Sequence, residues 1–179
     1  MKHFSEPKAQ IIRQELHRWF ERNRRSFPWR QRRTPYRVWV AEIMLQQTRT
    51  DQAQPYYERF MRAFPSLKKL AQASRQEVLK QWVGVGYYGR AGKLHQTARL
   101  IQEEYGGRFP RNYEEMLKLP GIGPYTAAAI GSLAMNMPRA VVDGNVIRVL
   151  SRLMAVEERM DSSAGKKLFQ RLADQLLDV

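Results

Sequence analysis

The 179-residue chain is predicted to be all-α, and three observations predict it. Apolar residues recur at helical spacing over most of its length. No segment alternates apolar and polar residues as a half-exposed strand does. Proline, glycine and cap residues cut the chain into short lengths. About nine or ten helices joined by short loops account for the pattern. No tandem repeat, low-complexity tract or long linker interrupts it.

Taken in order, "SEPKAQIIRQELHRWFERN" puts Ile12, Leu16, Trp19 and Phe20 on one helical face, with Pro7 near the start. "RRSFPWRQRRTP" then breaks the pattern with two prolines and five arginines. "YRVWVAEIMLQQ" reads as a buried helix with one acid, Glu42, inside it. "TDQAQPYYERFMRAF" starts at a plausible cap, Thr50, and Pro55 either kinks its first turns or marks a later start. "SRQEVLKQW" opens with Ser74 and Glu77 in capping-box spacing. "GVGYYGRAG" is a glycine-rich turn, and "RAGKLHQTARLIQEEYGG" is an amphipathic helix closed by Gly106 and Gly107. A short helix begins at Asn112, with Glu115 three residues on. "PYTAAAIGSLAM", "NVIRVLSRLMAV" and "AGKKLFQRLADQLLDV" complete the set.

This length supports one sizeable core or two small lobes, and a hydrophobic content of 43% is that of a globular chain. Thirty-one Lys and Arg against 17 Asp and Glu give a formal charge of +14, which favours a polyanionic partner. Nucleic acid is the foremost candidate, through phosphate contact and counterion release. No apolar run approaches the length of a membrane span, and "MKHFSEPKAQ" has no signal-peptide core. The chain holds no cysteine, which excludes disulfides and thiolate-bound metals within it. His3, His17 and His95 have no metal-ligand spacing, and His95 reads as either a packing or a phosphate-facing residue. Met135, Met137, Met154 and Met160 call for no special role.

Three places could meet a nucleic acid, and two carboxylates could carry chemistry. In "LPGIGPYTAAAI", Gly121 and Gly123 permit a tight turn, Ile122 can plug back between two helices, and Pro124 suits a first helical turn. The free N–H groups of such a turn can hold a phosphate without any side chain, although an ordinary helical hairpin would look the same. The second glycine turn carries Tyr87 and Tyr88, either of which can stack on a base or be buried. The basic cluster Arg30, Arg32, Arg33 and Arg37 is either a nucleic-acid face or a solvated turn.

Glu42 sits among Val38, Trp39, Val40, Ile43, Met44 and Leu45. It is either a structural acid paired with an arginine or a partly desolvated carboxyl suited to donate a proton. Asp143 precedes Gly144 and Asn145 at the mouth of the next helix. It reads as an N-cap, whose N–H donors favour the ionised form, or as a carboxylate placed to oppose developing positive charge. One acid held protonated and one held ionised is the arrangement that cleaves glycosidic bonds. Spacing alone does not bring the two together.

The blocks "FPWR", "PYRVWVAEIMLQQTRT", "GVGYYGRAGKLH", "LPGIGPYTAAAI" and "AVVDGNVIRVLSR" together resemble the helix-hairpin-helix DNA glycosylases, and within them the adenine DNA glycosylases of the MutY type. The resemblance runs from about residue 20 to the end of the chain. It implies an all-α, helix-hairpin-helix DNA glycosylase fold: a six-helix barrel lobe over residues 28–135, with the hairpin at about 112–135, and an incomplete second lobe from residues 1–27 and 136–179. It implies a monomer acting inside the cell on double-stranded DNA, which lies across the cleft between lobes, and excision of adenine mispaired with 8-oxoguanine or guanine.

By the same resemblance, Glu42 protonates adenine N7, directly or through water. Asp143 stabilises the sugar cation or its covalent form, and Asn145 helps organise that site. Gln47 and Tyr87 probe or wedge the base stack, with Thr48 beside them on the DNA. Arg30 lies near the adenine pocket, and Leu119, Gly121 and Gly123 belong to the hairpin that grips the backbone. Tyr125 stands where endonuclease III-like relatives carry a nucleophilic lysine. That favours a monofunctional enzyme that uses water over a glycosylase/lyase acting on oxidised pyrimidines. Lys118, expected on the preceding helix, is a poor substitute.

Most members of the resembled family continue past the equivalent of "LADQLLDV" with further helices, four cysteines around a 4Fe–4S cluster, and a domain that reads 8-oxoguanine. The chain itself is expected to carry no cofactor. Its ending, still apolar and periodic, reads as a cut, with apolar faces left open and a catalytically impaired DNA-binding fragment as one outcome.

Overall fold

The computed structural model describes residues 2–178, and every regular element in them is a helix. There are eleven: α1 (Glu6–Asn23), α2 (Pro28–Gln31), α3 (Pro35–Leu45), α4 (Thr50–Ala63), α5 (Leu67–Gln72), α6 (Arg75–Trp82), α7 (Tyr88–Glu104), α8 (Tyr113–Leu117), α9 (Pro124–Met135), α10 (Gly144–Met154) and α11 (Ser163–Gln175). The chain divides into two compact units, one of Ser26–Met135 and one of Met1–Arg25 with Asn136–Val179.

In the Ser26–Met135 unit, α3 packs on α9 and α4, and α7 packs on α5 and α6. Trp39, Met44, Phe60, Leu70, Trp82, Ile101 and Ile130 are fully buried. Edge-to-face contacts of Phe60 with Phe64 and Trp82, with centroids 5.0 and 5.7 Å apart, tie α4 to α6. The Tyr36 hydroxyl donates to the Phe64 carbonyl at 2.7 Å, and burial pushes its ionisation well above the ordinary phenol value.

Helix starts follow cap chemistry. Thr34, Ser66 and Asn112 accept the N–H three residues on, and Ser74 with Glu77 forms a complete capping box. Two short helices are not expected from the sequence pattern. "PWRQ" is not a mere break: it forms α2, because Pro28 starts a turn that buries Trp29 flat against Phe27 at 4.9 Å. α5 starts at its Ser66 cap and buries Leu67 and Leu70. Thr50 is not the cap of α4. It is the first helical residue after Arg49, and its hydroxyl goes to Asp51 instead. Pro55 lies inside that helix, whose start is unmoved. α7 begins at Tyr88, two residues before the expected start, and Gly107 closes it by donating to the Ile101 carbonyl at 3.0 Å.

In the other unit, Phe4, Ala9, Ala140, Leu150, Phe169, Leu172 and Ala173 form a core shared by α1, α10 and α11. Polar contacts close it: Phe4 N–H donates to Gln175 Oε1 at 3.0 Å and Ala140 N–H to Asp174 Oδ1 at 2.8 Å. The expected buried face of α1 is only partly buried. Ile12 packs on the core, but Leu16 and Trp19 are 52% and 62% exposed. The C-terminal apolar run does not continue as helix: α11 ends at Gln175, and Leu176 and Leu177 fold against the core. Val179 lies outside the described residues.

Candidate nucleic-acid interface and acid sites

The hairpin lies in the Ser26–Met135 unit between α8 and α9. Lys118 is not on α8 but is its C-cap. Leu119 is buried, the Ile122 N–H donates back to the Leu119 carbonyl at 3.1 Å, and Ile122 is 4% exposed, so it plugs inward as its sequence position suggests. Gly121 adopts φ +76°, a left-handed conformation that favours glycine. A Cβ there would stand 3.0 Å from Lys93 Cβ, so the lysine stem of α7 lies against the turn. The fully buried Thr97, also on α7, donates its hydroxyl to the Pro120 carbonyl at 2.5 Å. Gly123 is open, with nothing near a Cβ built on it. Pro124 opens α9, whose first-turn N–H groups lack intrahelical partners by the geometry of any helix start. Gly121, Gly123 and Pro124 are exposed, and Lys93 and Thr97 of α7 lie against the turn. Tyr125, next in sequence, is 38% exposed.

Glu42 is half-buried in the last turns of α3, on the helix edge it shares by spacing with Leu45 and Gln46. Its sequence neighbours Ala41, Ile43 and Met44 are buried. Gln47 follows the helix with φ +62°, exposed, and Thr48 donates its N–H to the Leu45 carbonyl at 3.3 Å. Tyr87, at φ +48°, precedes α7 and is 67% exposed, with Tyr88 49% exposed; neither is packed away. Arg30 is exposed, its guanidinium 5.4 Å from the Phe27 ring centre. Of the basic cluster, Arg32 and Arg33 are exposed and Arg37 is half-buried. His95 is buried, with Nε2 2.9 Å from the Ala73 carbonyl, which is the packing reading of that residue.

Asp143 belongs to the other unit and is the N-cap of α10. Its Oδ1 accepts from Val146 N–H at 2.8 Å and its Oδ2 from the Asn145 side-chain amide at 3.0 Å. Asn145 Oδ1 in turn accepts from Arg148 at 3.1 Å. The carboxylate is therefore held in one orientation by a cap and by a relay of two side chains. The Asn145 side-chain amide makes that contact directly.

One residue of consequence carries no signal of its role in the sequence. Arg90, in "GYYGRAG", donates to the carbonyls of Ile43, Gln46 and Gly86. Among 31 basic residues nothing in the sequence separates it from a phosphate contact.

Among the described residues no group of His, Asp or Glu is arranged to hold a metal ion. The chain has no cysteine and so offers no thiolate ligand to an iron–sulfur cluster. No helix is long and apolar enough to cross a membrane.

Residues 40–175 match the model of the HhH-GPD superfamily base excision DNA repair protein, and the chain belongs to that superfamily. A rat protein named adenine DNA glycosylase is 44% identical over 176 residues, covering 93% of this chain and 34% of its own length. The chain thus spans about a third of that relative. Among solved structures, a thermostable thymine-DNA glycosylase superposes with a TM-score of 0.85 at 30% identity, over 95% of this chain and 78% of that one. A trapped endonuclease III–DNA covalent intermediate shares the fold at a TM-score of 0.74 and 21% identity, over 97% and 78% of the two chains.

Proposed function

We propose that this chain is the catalytic portion of a monofunctional adenine DNA glycosylase that acts on adenine mispaired with 8-oxoguanine or guanine. The observation that carries the reading is the 44% identity to a protein of that name over nearly the whole chain. The local geometry at Asp143 and at the hairpin supports it. In this reading residues 28–135 are the six-helix barrel lobe, and residues 1–27 with 136–179 belong to the second lobe. The partner is double-stranded DNA inside the cell, bound by a monomer.

The adenine leaves the duplex, because its N7 and its glycosidic bond are out of reach in the stack. Gln47 and Tyr87, both exposed on turns, hold the strands apart. Arg30 lies by the displaced base, and Thr48 and the Leu119–Gly123 hairpin hold backbone. Glu42 delivers a proton to N7, which turns adenine into a good leaving group. Asp143, fixed by Val146 and Asn145, opposes the positive charge that develops on the sugar. Water completes the hydrolysis. Tyr125 occupies the place of the lyase lysine, and a phenol there forms no Schiff base.

The test is single-turnover release of adenine from a duplex carrying A opposite 8-oxoguanine, with alkali to reveal the abasic site. Glu42→Gln is expected to lower release by at least about 100-fold, the scale of a lost general acid, while mismatch affinity changes little. Equal losses of binding and release would make Glu42 structural. A borohydride-trapped adduct would replace the monofunctional assignment with a lyase.

A further inference from the structure

Arg90 lies in the first turn of α7, yet its side chain serves two other segments. Nη1 donates to the Ile43 carbonyl at 3.0 Å and to the Gln46 carbonyl, and Nη2 to the Gly86 carbonyl at 3.5 Å. The guanidinium also faces the Tyr87 ring, 5.0 Å from its centre. Burial shifts its ionisation downward, and among the described residues it makes no ion pair. In a chain this basic, an arginine whose two terminal nitrogens both go to carbonyls is withdrawn from phosphate.

The choice of carbonyls is what matters. Gln46 immediately precedes Gln47, and Gly86 immediately precedes Tyr87. Gln47 and Tyr87 are two of the four non-glycine residues with positive φ among those described, at +62° and +48°. The torsion φ is set by the peptide plane that precedes the residue. A hydrogen bond on the carbonyl of that plane therefore restrains φ itself. One guanidinium restrains both planes, and its flat fork can do this where a single ammonium centre cannot. A cavity of about 140 Å³ lined by Trp39, Ile43, Arg90, Leu94, Pro120 and Gly121 lies behind these turns, so the same arginine also borders the hairpin.

We propose that Arg90 is the positioning residue that sets Gln47 and Tyr87 in a fixed mutual geometry, so that the two enter the base stack as one rigid pair. The proposal rests on the reading of those two residues as probes of the duplex. Arg90 itself touches neither the base nor the sugar. Its function is to hold two left-handed turns, 40 residues apart in sequence, to one another: Trp82 Nε1 also donates to the Gly86 carbonyl, at 3.0 Å, but of the two donors Arg90 is the one that bonds Gln46 as well.

The experiment uses Arg90→Lys and Arg90→Met, both checked for unchanged thermal unfolding of the chain. Single-turnover release is measured on A opposite 8-oxoguanine in duplex DNA and on the same adenine left unpaired in a bulge. On the duplex, release is expected to fall by about 100-fold, the scale of displacing a working group by an ångström. On the bulge, where no stack needs to be opened, it should fall by less than about threefold. Arg90→Lys keeps the charge and should fail like Arg90→Met. Equal losses on both substrates, or full activity in Arg90→Lys, would overturn the proposal. A second readout needs no activity. The backbone amide signals of Gln47 and Tyr87 should both shift in the free variants while those of Leu70 and Ile130 stay in place. Unmoved Gln47 and Tyr87 amides would sink the clamp whatever the wild type does. A wild type inert on both DNAs, with those amides shifted in the variants, would count against the glycosylase reading and leave the clamp standing.

Discussion

Gly121→Ala tests whether the hairpin holds DNA through its backbone. An alanine at φ +76° costs about 1–2 kcal/mol for the left-handed conformation. The new methyl lies 3.0 Å from Lys93 Cβ, so the α7 stem must yield by a few tenths of an ångström. Reduced freedom of the unfolded chain returns about 0.4–1 kcal/mol. The two ranges leave a net loss of about 0–1.6 kcal/mol, and at about 2–4 °C per kcal/mol for a chain of this size the melting temperature should fall by no more than about 6 °C. Binding should suffer more. A methyl at the turn blocks one N–H from a phosphate, and a hydrogen bond to a charged group is worth about 1.5–3 kcal/mol. That is about 10- to 100-fold in affinity. The decisive quantity is the salt dependence. An N–H group carries no charge, so Gly121→Ala should shift log K without changing its slope against log salt. Lys93→Ala, on the same patch, should flatten that slope by about 0.9. Fluorescence anisotropy titrations at four salt concentrations measure both. An unchanged affinity in Gly121→Ala, or a slope that drops as it does for Lys93→Ala, would refute the backbone grip.

Gly165→Ala should destabilise the unit of α1, α10 and α11 by about 3 kcal/mol or more, because its Cβ would stand 1.9 Å from the Arg159 carbonyl, a backbone atom that cannot swing aside; urea unfolding followed by α11 amide exchange reads it. The capping box of α6 should be pH-dependent. Hydrogen bonds from Ser74 hold Glu77 below its ordinary value of 4.5, so its contribution is complete above that value and disappears as pH falls through the lower value in the folded chain. The stability gap between wild type and Glu77→Gln should therefore narrow on acidification below about pH 4 in thermal melts, and a gap that widened there would contradict the assignment.

Local chemistry was legible where one short stretch holds both partners of a contact. Ser74 and Glu77 are three residues apart, as are Asp143 and Val146, and both caps form as their spacing predicts. The hairpin was legible for the same reason: Gly121, Ile122 and Pro124 each fix a local requirement. What failed depends on distant neighbours. α2 and α5 are too short to be stable alone, and they exist because Trp29, Leu67 and Leu70 find buried places in a folded unit. The face of α1 was read correctly as apolar, but periodicity does not say what lies opposite, and Leu16 and Trp19 face outward. Arg90 is the extreme case, since its partners come from α3 and from the turn before α7.

Asp143 shows why two competing readings of one residue need not exclude each other. As a cap it gives Oδ1 to Val146 N–H, which fixes the carboxylate against the axis of α10. As a charge stabiliser it needs that same fixity, because a carboxylate that must turn toward a developing cation spends part of its benefit on reorganisation. The second oxygen is held by Asn145, whose own oxygen is held by Arg148. Three residues in one stretch of helix thus do the orienting, and all three lie in a run short enough to read from sequence. The cap is then the means by which the acid is preorganised. In the glycosylase reading, the structural and chemical roles of Asp143 are one geometry seen before and after the sugar acquires its charge.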